Sequence, residues 1–246
     1  MNKKSLLLII VGLILIFGGG LLLYGKNISF TKDKLPAKEK DHQEIELNEF
    51  IHTYDKLIVP KIEVYNNVLG QNYPIKNLDE INDMQKTLVL LTSINKDGSK
   101  KEVSTDELDE TKYKYFLSVN YYKKPIKSNN LTVYKVKDDK YLYNGQDNNL
   151  NIFPLQTEFK ELYTDYIVVA QKLLFLKLTV IEEPKIIKNE VYKDPKAKEK
   201  VYEFEGEPNF TDEEQKQLSD KLDTYLYRFE KYGDEYLLTS VIKSDE

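Results

Sequence analysis

Thiol chemistry is closed to this chain, because it contains no cysteine. Disulfides, thiolate metal sites and cysteine nucleophiles are therefore excluded. Imidazole chemistry is nearly as restricted. The two histidines, His42 and His52, do not share a helical face at adjacent turns, and no further ligands follow at zinc-site spacing. They are expected at the surface, where a linker meets a helix. Carboxylates cluster at Asp106 to Glu110, at Glu182–Glu183 and at Asp212 to Glu214. Two such groups held roughly 5–10 Å apart in a cleft would suit glycoside hydrolysis. Plainer accounts are available. The first cluster reads as a charged loop, and the third falls in a first helical turn, where the macrodipole favours negative charge. Ser93 lacks both a histidine partner and the turn motif of a serine nucleophile. No glycine-rich phosphate loop occurs. The expectation is no catalytic residue, no metal and no cofactor.

Tyrosine is the compositional oddity, with 19 copies and no tryptophan. Each tyrosine offers an apolar face and a polar tip, which suits carbohydrate and protein contacts. Tyr121 and Tyr122 run directly into Lys123 and Lys124, and Tyr134, Tyr141 and Tyr143 follow. These residues form the candidate binding face. The competing expectation is that tyrosine fills core positions in a half-wet sheet.

The segment LIVPKIEVYNNVLG, Leu57 to Gly70, resembles the IPKI-type strand of sortase transpeptidases, which are also membrane-anchored. Those enzymes require a catalytic cysteine, so the resemblance implies no activity for this chain.

The first positioning element is apolar. Ser5 to Tyr24 reads SLLLIIVGLILIFGGGLLLY, and 21 uncharged residues separate Lys4 from Lys26. At 1.5 Å per residue the run spans roughly 30 Å, the hydrocarbon thickness of a bilayer. It is long for a signal core and no small-x-small site follows, so an uncleaved anchor is expected. Flanking charge conflicts: Lys3 and Lys4 precede the run, while Lys26, Lys32, Lys34, Lys38 and Lys40 follow it. Long domains translocate largely regardless of such charge. This favours residues 1–4 as a short basic cytoplasmic tail and a body outside the cell membrane. A cytoplasmic body is the alternative. Residues 25–42 are polar, contain Pro36 and read as a flexible tether.

The remainder, 43–246, reads as a soluble globular domain, in a chain that is 41% apolar and 31% charged. Setting aside Lys3, Lys4 and Lys26 leaves 33 basic against 41 acidic residues, a net charge of −8. That balance disfavours nucleic acid, whose phosphates need a basic stripe. Apolar periodicity predicts helices over 42–57, 77–86 and 157–174. A fourth runs from a Thr211/Glu214 capping box towards Phe229, with Gly233 at its C-terminal cap. Strands are expected at Leu57–Val64, broken by Pro60, and at Thr87–Ile94, Lys114–Tyr122 and Leu131–Lys137. Further strands are expected at Tyr141–Tyr143, Phe175–Ile181, Val201–Phe204 and Glu235–Ile242, with a turn at Asp138–Asp139. The fold class is α+β: an N-terminal single transmembrane helix followed by a mixed sheet with packed helices.

PKIEVY at Pro60 is echoed by PKIIKNEVY at Pro184, and LLTS at Leu90 recurs at Leu237. Two related halves, about 43–150 and 151–246, would produce such echoes. The functional expectation is a single-pass, extracytoplasmic, non-catalytic binding or assembly module. Its partners would be the lipid bilayer through residues 5–24 and other envelope proteins. The alternatives are an anchored hydrolase using paired carboxylates and a membrane-tethered cytoplasmic regulatory or immunity module.

Overall fold

Alternating apolar residues build most of this protein. The computed structural model describes residues 43–46, 50–51, 56–128, 131–144, 150–181, 186–206 and 210–245. The expected anchor over 5–24 and tether over 25–42 lie outside the described residues, as do His42, His52 and Glu182–Glu183. Among the described residues, no helix is long and apolar enough to cross a membrane.

The described residues form an α+β body with four α-helices and ten strands. The helices are α1 (Val59–Leu69), α2 (Asp83–Ile94), α3 (Thr105–Thr111) and α4 (Asp212–Ser219). Strands β1 (Glu102–Ser104), β2 (Ile126–Ser128), β3 (Leu131–Lys137) and β4 (Lys140–Tyr143) make a small sheet in the order β1-β4-β3-β2. A larger sheet contains β5 (Leu150–Leu162), β6 (Tyr166–Ile181), β7 (Ile186–Tyr192), β8 (Lys200–Glu205), β9 (Thr224–Tyr232) and β10 (Glu235–Lys243). Its order is β10-β9-β6-β7-β8, and β5 also pairs with β6.

Strand β6 organises the large sheet. Residues 167–177 of β6 pair with β5, 166–172 with β9 and 175–181 with β7. Since a strand has two edges, β5 occupies one, and β9 and β7 follow each other along the other. The sheet therefore forks near Leu173. Every strand pairing is antiparallel, which corrects the expected mixed sheet. Parallel pairs need crossovers of a dozen or more residues. This chain spends its short connections on hairpins instead, as at Asp138–Asp139 and at Gly233, all with positive φ.

Several expected elements change type, and each change has a physical cause. Leu57–Val64 is not a strand, because α1 begins within it and Pro60 lies in the first helical turn. There a missing N–H costs nothing, since it would have no intrahelical partner. The sortase-like segment is therefore helical here. Thr87–Ile94 is also helical. An Asn82/Gln85 capping box starts α2, and a near-continuous apolar run carries no periodicity to distinguish helix from strand. Lys114–Tyr122 is a 3-10 turn at Lys112–Lys114 followed by irregular chain.

The predicted helix over 157–174 is instead the β5–β6 hairpin. The β-branched run Ile167, Val168, Val169 prevails over helical spacing. The helix expected from Thr211 does start on its Thr211/Glu214 box but stops at Ser219. Tyr225, Tyr227 and Phe229 then alternate inward along β9. Strands at Leu131–Lys137 and Lys140–Tyr143, and those near Val201 and Glu235, form as read.

Helix α1 lies on the large sheet, burying Ile62, Val64, Tyr65 and Leu69 together with Lys61 and Asn66. Ile167, Val169, Leu173 and Phe175 of β6 join Tyr225, Tyr227 and Phe229 in this core. Helix α2 packs on α1, and its C-cap residue Asn95 reaches the small sheet. Asn95 Nδ2 donates to Tyr134 Oη at 3.4 Å, and Tyr122 N donates to Thr87 Oγ1 at 2.9 Å. The alternate residues of β6, Leu174 and Leu176, form a satellite core with Val191, Leu218 and Leu222.

Leu90 of α2 is fully buried in the main core. Leu90→Ala is expected to lower the unfolding free energy by about 2–5 kcal/mol. Thr211→Ala, which removes only the cap of the peripheral helix α4, should cost about 1 kcal/mol. Denaturant titration of both variants checks the ranking.

Candidate binding cleft

The buried face of α1 carries a polar side chain that apolar packing cannot accommodate alone. Asn66 is 3% exposed, and its carboxamide is held on three sides. Tyr73 Oη donates to Asn66 Oδ1 at 3.0 Å and Tyr227 Oη donates to the same atom at 2.6 Å. Asn66 Nδ2 donates to Gln171 Oε1 at 3.4 Å, and Gln171 Nε2 donates to Thr157 Oγ1 at 3.2 Å. Helix α1, β5, β6 and β9 are thus joined by one chain of hydrogen bonds. Burial raises the Tyr73 phenol well above its ordinary pKa, and neighbouring Tyr227 adds to this.

This network forms the floor of a cleft of about 440 Å³ between α1 and β5. Its walls are Val59 and Ile62 on the helix, and Ile152, Phe153 and Pro154 on the strand. Phe153 is 44% exposed, so one wall of the cleft is an aromatic ring facing solvent. The end of α1 approaches β5 closely through Gly70, where any Cβ would overlap Ile152 Cδ1. Among the described residues Glu63 is the sole charged group of the lining, and it pairs with Lys96 at 3.1 Å. Apolar walls around a few convergent polar groups are what a small-ligand or side-chain site requires. Two depressions of about 600 and 640 Å³ also border β5, but charged groups such as Glu158 and Lys160 line both.

A second polar contact fixes the same helix. Lys61 Nζ lies 2.6 Å from Glu235 Oε2 and donates to the Tyr236 carbonyl at 2.8 Å. Burial lowers the Lys61 pKa, and the Glu235 carboxylate opposes that shift. The ammonium is therefore a tie between α1 and β10 through both a carboxylate and a carbonyl.

No family model matches this chain, and no curated protein or solved structure is similar to it.

The structure places Tyr134, Tyr141 and Tyr143 on the small sheet and Tyr121 to Lys124 in the irregular chain before β2, and it turns Tyr134 and Tyr141 inward. Tyr134 and Tyr141 are 2% and 1% exposed and belong to the main core. Tyr143 is half-buried beside Tyr134, with ring centres 5.3 Å apart. Tyr121 donates to Asp109 at 2.8 Å, and the Tyr122 carbonyl accepts from Tyr141 Oη at 3.3 Å. Lys123 and Lys124 are exposed, and Lys123 pairs with Asp139 at 2.7 Å.

The described acid clusters serve helix starts. Glu107 closes the capping box of α3 with Ser104, and Glu214 that of α4. Ser93 donates to the Leu90 carbonyl at 2.8 Å. Among the described residues, no group of three or more histidine, aspartate or glutamate side chains is placed to hold a metal. The cleft residues themselves escaped sequence reading. A strand assignment for Leu57–Val64 hid Asn66, although Ile62, Tyr65, Asn66 and Leu69 share helical spacing.

Removing the Tyr227 hydroxyl leaves Asn66 Oδ1 with its Tyr73 bond, so Tyr227→Phe should cost about 1 kcal/mol. Asn66→Leu strands two hydroxyls and Gln171, and should cost about 2 kcal/mol or more. Denaturant titration of both variants tests the network, and equal costs would contradict it.

The buried tyrosines also set an alkaline limit. Burial raises Tyr65 and Tyr225 as well as Tyr73, and pushes Tyr115 up to about 12. Their folded values exceed the unfolded value near 10, so the stability they contribute is complete below about pH 10 and is lost as pH rises through the folded values. Tyrosinate absorbance should go on rising well above pH 10, with its last part appearing only with loss of circular dichroism. All 19 tyrosines ionising reversibly with the fold intact would contradict the burial described.

Proposed function

We propose that this chain is a single-pass, membrane-anchored, non-catalytic binding module whose body stands on the extracytoplasmic side. The observation that carries the binding reading is the α1–β5 cleft, about 440 Å³ with apolar walls over two buried carboxamides. Its polar floor is held in place before any ligand arrives, which lowers the ordering cost of binding. The anchoring reading is supported by the uncharged stretch between Lys4 and Lys26, for which a bilayer core is the natural solvent. The resulting arrangement is a short basic tail inside, a tether over 25–42, and a folded body presenting its cleft to another envelope protein.

Two measurements on cells test this. The full-length chain should fractionate with membranes and resist alkaline wash, and protease added outside spheroplasts should digest the body. Recovery of the intact chain from the soluble fraction would overturn the anchor, and a protected body would overturn the topology. A photo-crosslinking residue at position 153 should give a discrete adduct with an envelope protein. The same residue at Leu178, which is 41% exposed on β6 away from the cleft lining, should not. Equal adducts at both sites, or none at 153, would remove the cleft as the binding site.

A further inference from the structure

We infer that the α1–β5 cleft takes a neutral peptide segment of a partner protein, with an aliphatic side chain between the walls and a main-chain carbonyl on the floor. This rests on the binding-module reading and specifies what the cleft selects. A count of hydrogen-bond valences on the floor carries the inference. A carboxamide offers two N–H donors and two acceptor positions. Asn66 Oδ1 is saturated by Tyr73 and Tyr227, and one Asn66 N–H is used on Gln171. Gln171 uses one N–H on Thr157 and one acceptor position on Asn66. One N–H on each amide remains, together with one acceptor position on Gln171 and the proton and second lone pair of the Thr157 hydroxyl. The floor thus has three donors to two acceptors, at residues that line the cleft.

A purely aliphatic ligand would bury those donors without partners, at a cost. One extended residue meets both demands on the same side of its chain, since its carbonyl accepts two bonds and its N–H gives one. Charge narrows the choice further. Among the described residues Glu63 is the only ionisable group in the lining, and it already has Lys96, so the described lining offers neither an anion nor a cation a free counter-charge. Val59, Ile62, Ile152, Phe153 and Pro154 supply hydrocarbon on both sides, which suits a branched aliphatic residue.

Strand addition along β5 is not the mode implied. Pro154 has no N–H to give, and the β5–β6 register shifts between Pro154 and Gln156 and again between Phe159 and Glu161. Proline and bulges both interrupt the ladder a new strand would need. Recognition rests on one side chain and its flanking amide.

The test uses the full-length chain in lipid nanodiscs, with nitrogen-15 at asparagine and glutamine side chains and carbon-13 at isoleucine methyls. Asn66→Leu and Gln171→Met assign the two carboxamide signals. The probe is N-acetyl-leucine methylamide, compared with isovaleramide and with 3-methylbutan-1-ol. The blocked leucine should shift both carboxamide signals and the Ile62 and Ile152 methyls, binding about tenfold tighter than the alcohol. Phe153→Ala, at an exposed ring that does not threaten folding, should weaken it by roughly tenfold.

Methyl shifts alone, with equal affinity for the alcohol, would overturn the amide requirement and leave the cleft a binding site. Isovaleramide matching the blocked leucine would replace a peptide with a small free amide. No shift at Ile62, Ile152, Asn66 or Gln171 with any probe would overturn both this inference and the binding reading on which it rests.

Discussion

Helix α1 buries two polar side chains, and their need for partners fixes where the helix lies. Lys61 must find a carboxylate and a carbonyl, which β10 supplies, and Asn66 must find hydroxyls and an amide, which β6 and β9 supply together with Tyr73. An unsatisfied buried polar group costs about as much as several apolar contacts contribute. Two such points, five residues apart on one rigid helix, leave little freedom of rotation or sliding. Apolar packing alone would tolerate several registers. The polar ties select one, and the gap that remains between α1 and β5 is the cleft.

Much of the architecture was legible wherever local chemistry and pattern agreed. The Thr211/Glu214 box, the Asp138–Asp139 turn and the strands around it, and the terminal strand at Glu235 all formed as read. Misreadings arose where two periods fitted the same residues. Leu218, Leu222, Tyr225 and Phe229 satisfy a helical stripe, yet Tyr225, Tyr227 and Phe229 also alternate, and pairing with β6 decided between them. Thr87–Ile94 fails differently. Its near-continuous apolar run shows no period, so it carries no face to read.

The candidate site was less legible than the fold. Tyr121, Tyr122 and their neighbours stood out by composition, but Tyr134 and Tyr141 are core residues whose hydroxyls tie α2 and the chain at Tyr122 to the small sheet. The cleft depends on residues far apart in sequence, Asn66 on a helix and Gln171 on a strand, both of ordinary type. Nothing in spacing marks such a pair. It becomes visible only when a helix assignment for 59–69 turns Asn66 towards the core and a strand assignment turns Gln171 to meet it.

The fork in β6 divides the large sheet into a trunk and a wing. β9 and β10 belong to the trunk, held to the helices through the main core. β7 and β8 belong to the wing, which rests on α4 through the small cluster of Leu174, Leu176, Val191, Leu218 and Leu222. Since β7 pairs with the trunk through the far half of β6 and adds only Tyr192 to the main core, detaching the wing would uncover the small cluster and just one edge of the main core. Sub-global opening follows such seams. In mechanical terms the wing is a hinged leaf, and a pull on it would be borne first by the 175–181 ladder, well away from the carboxamides on which recognition is proposed to rest.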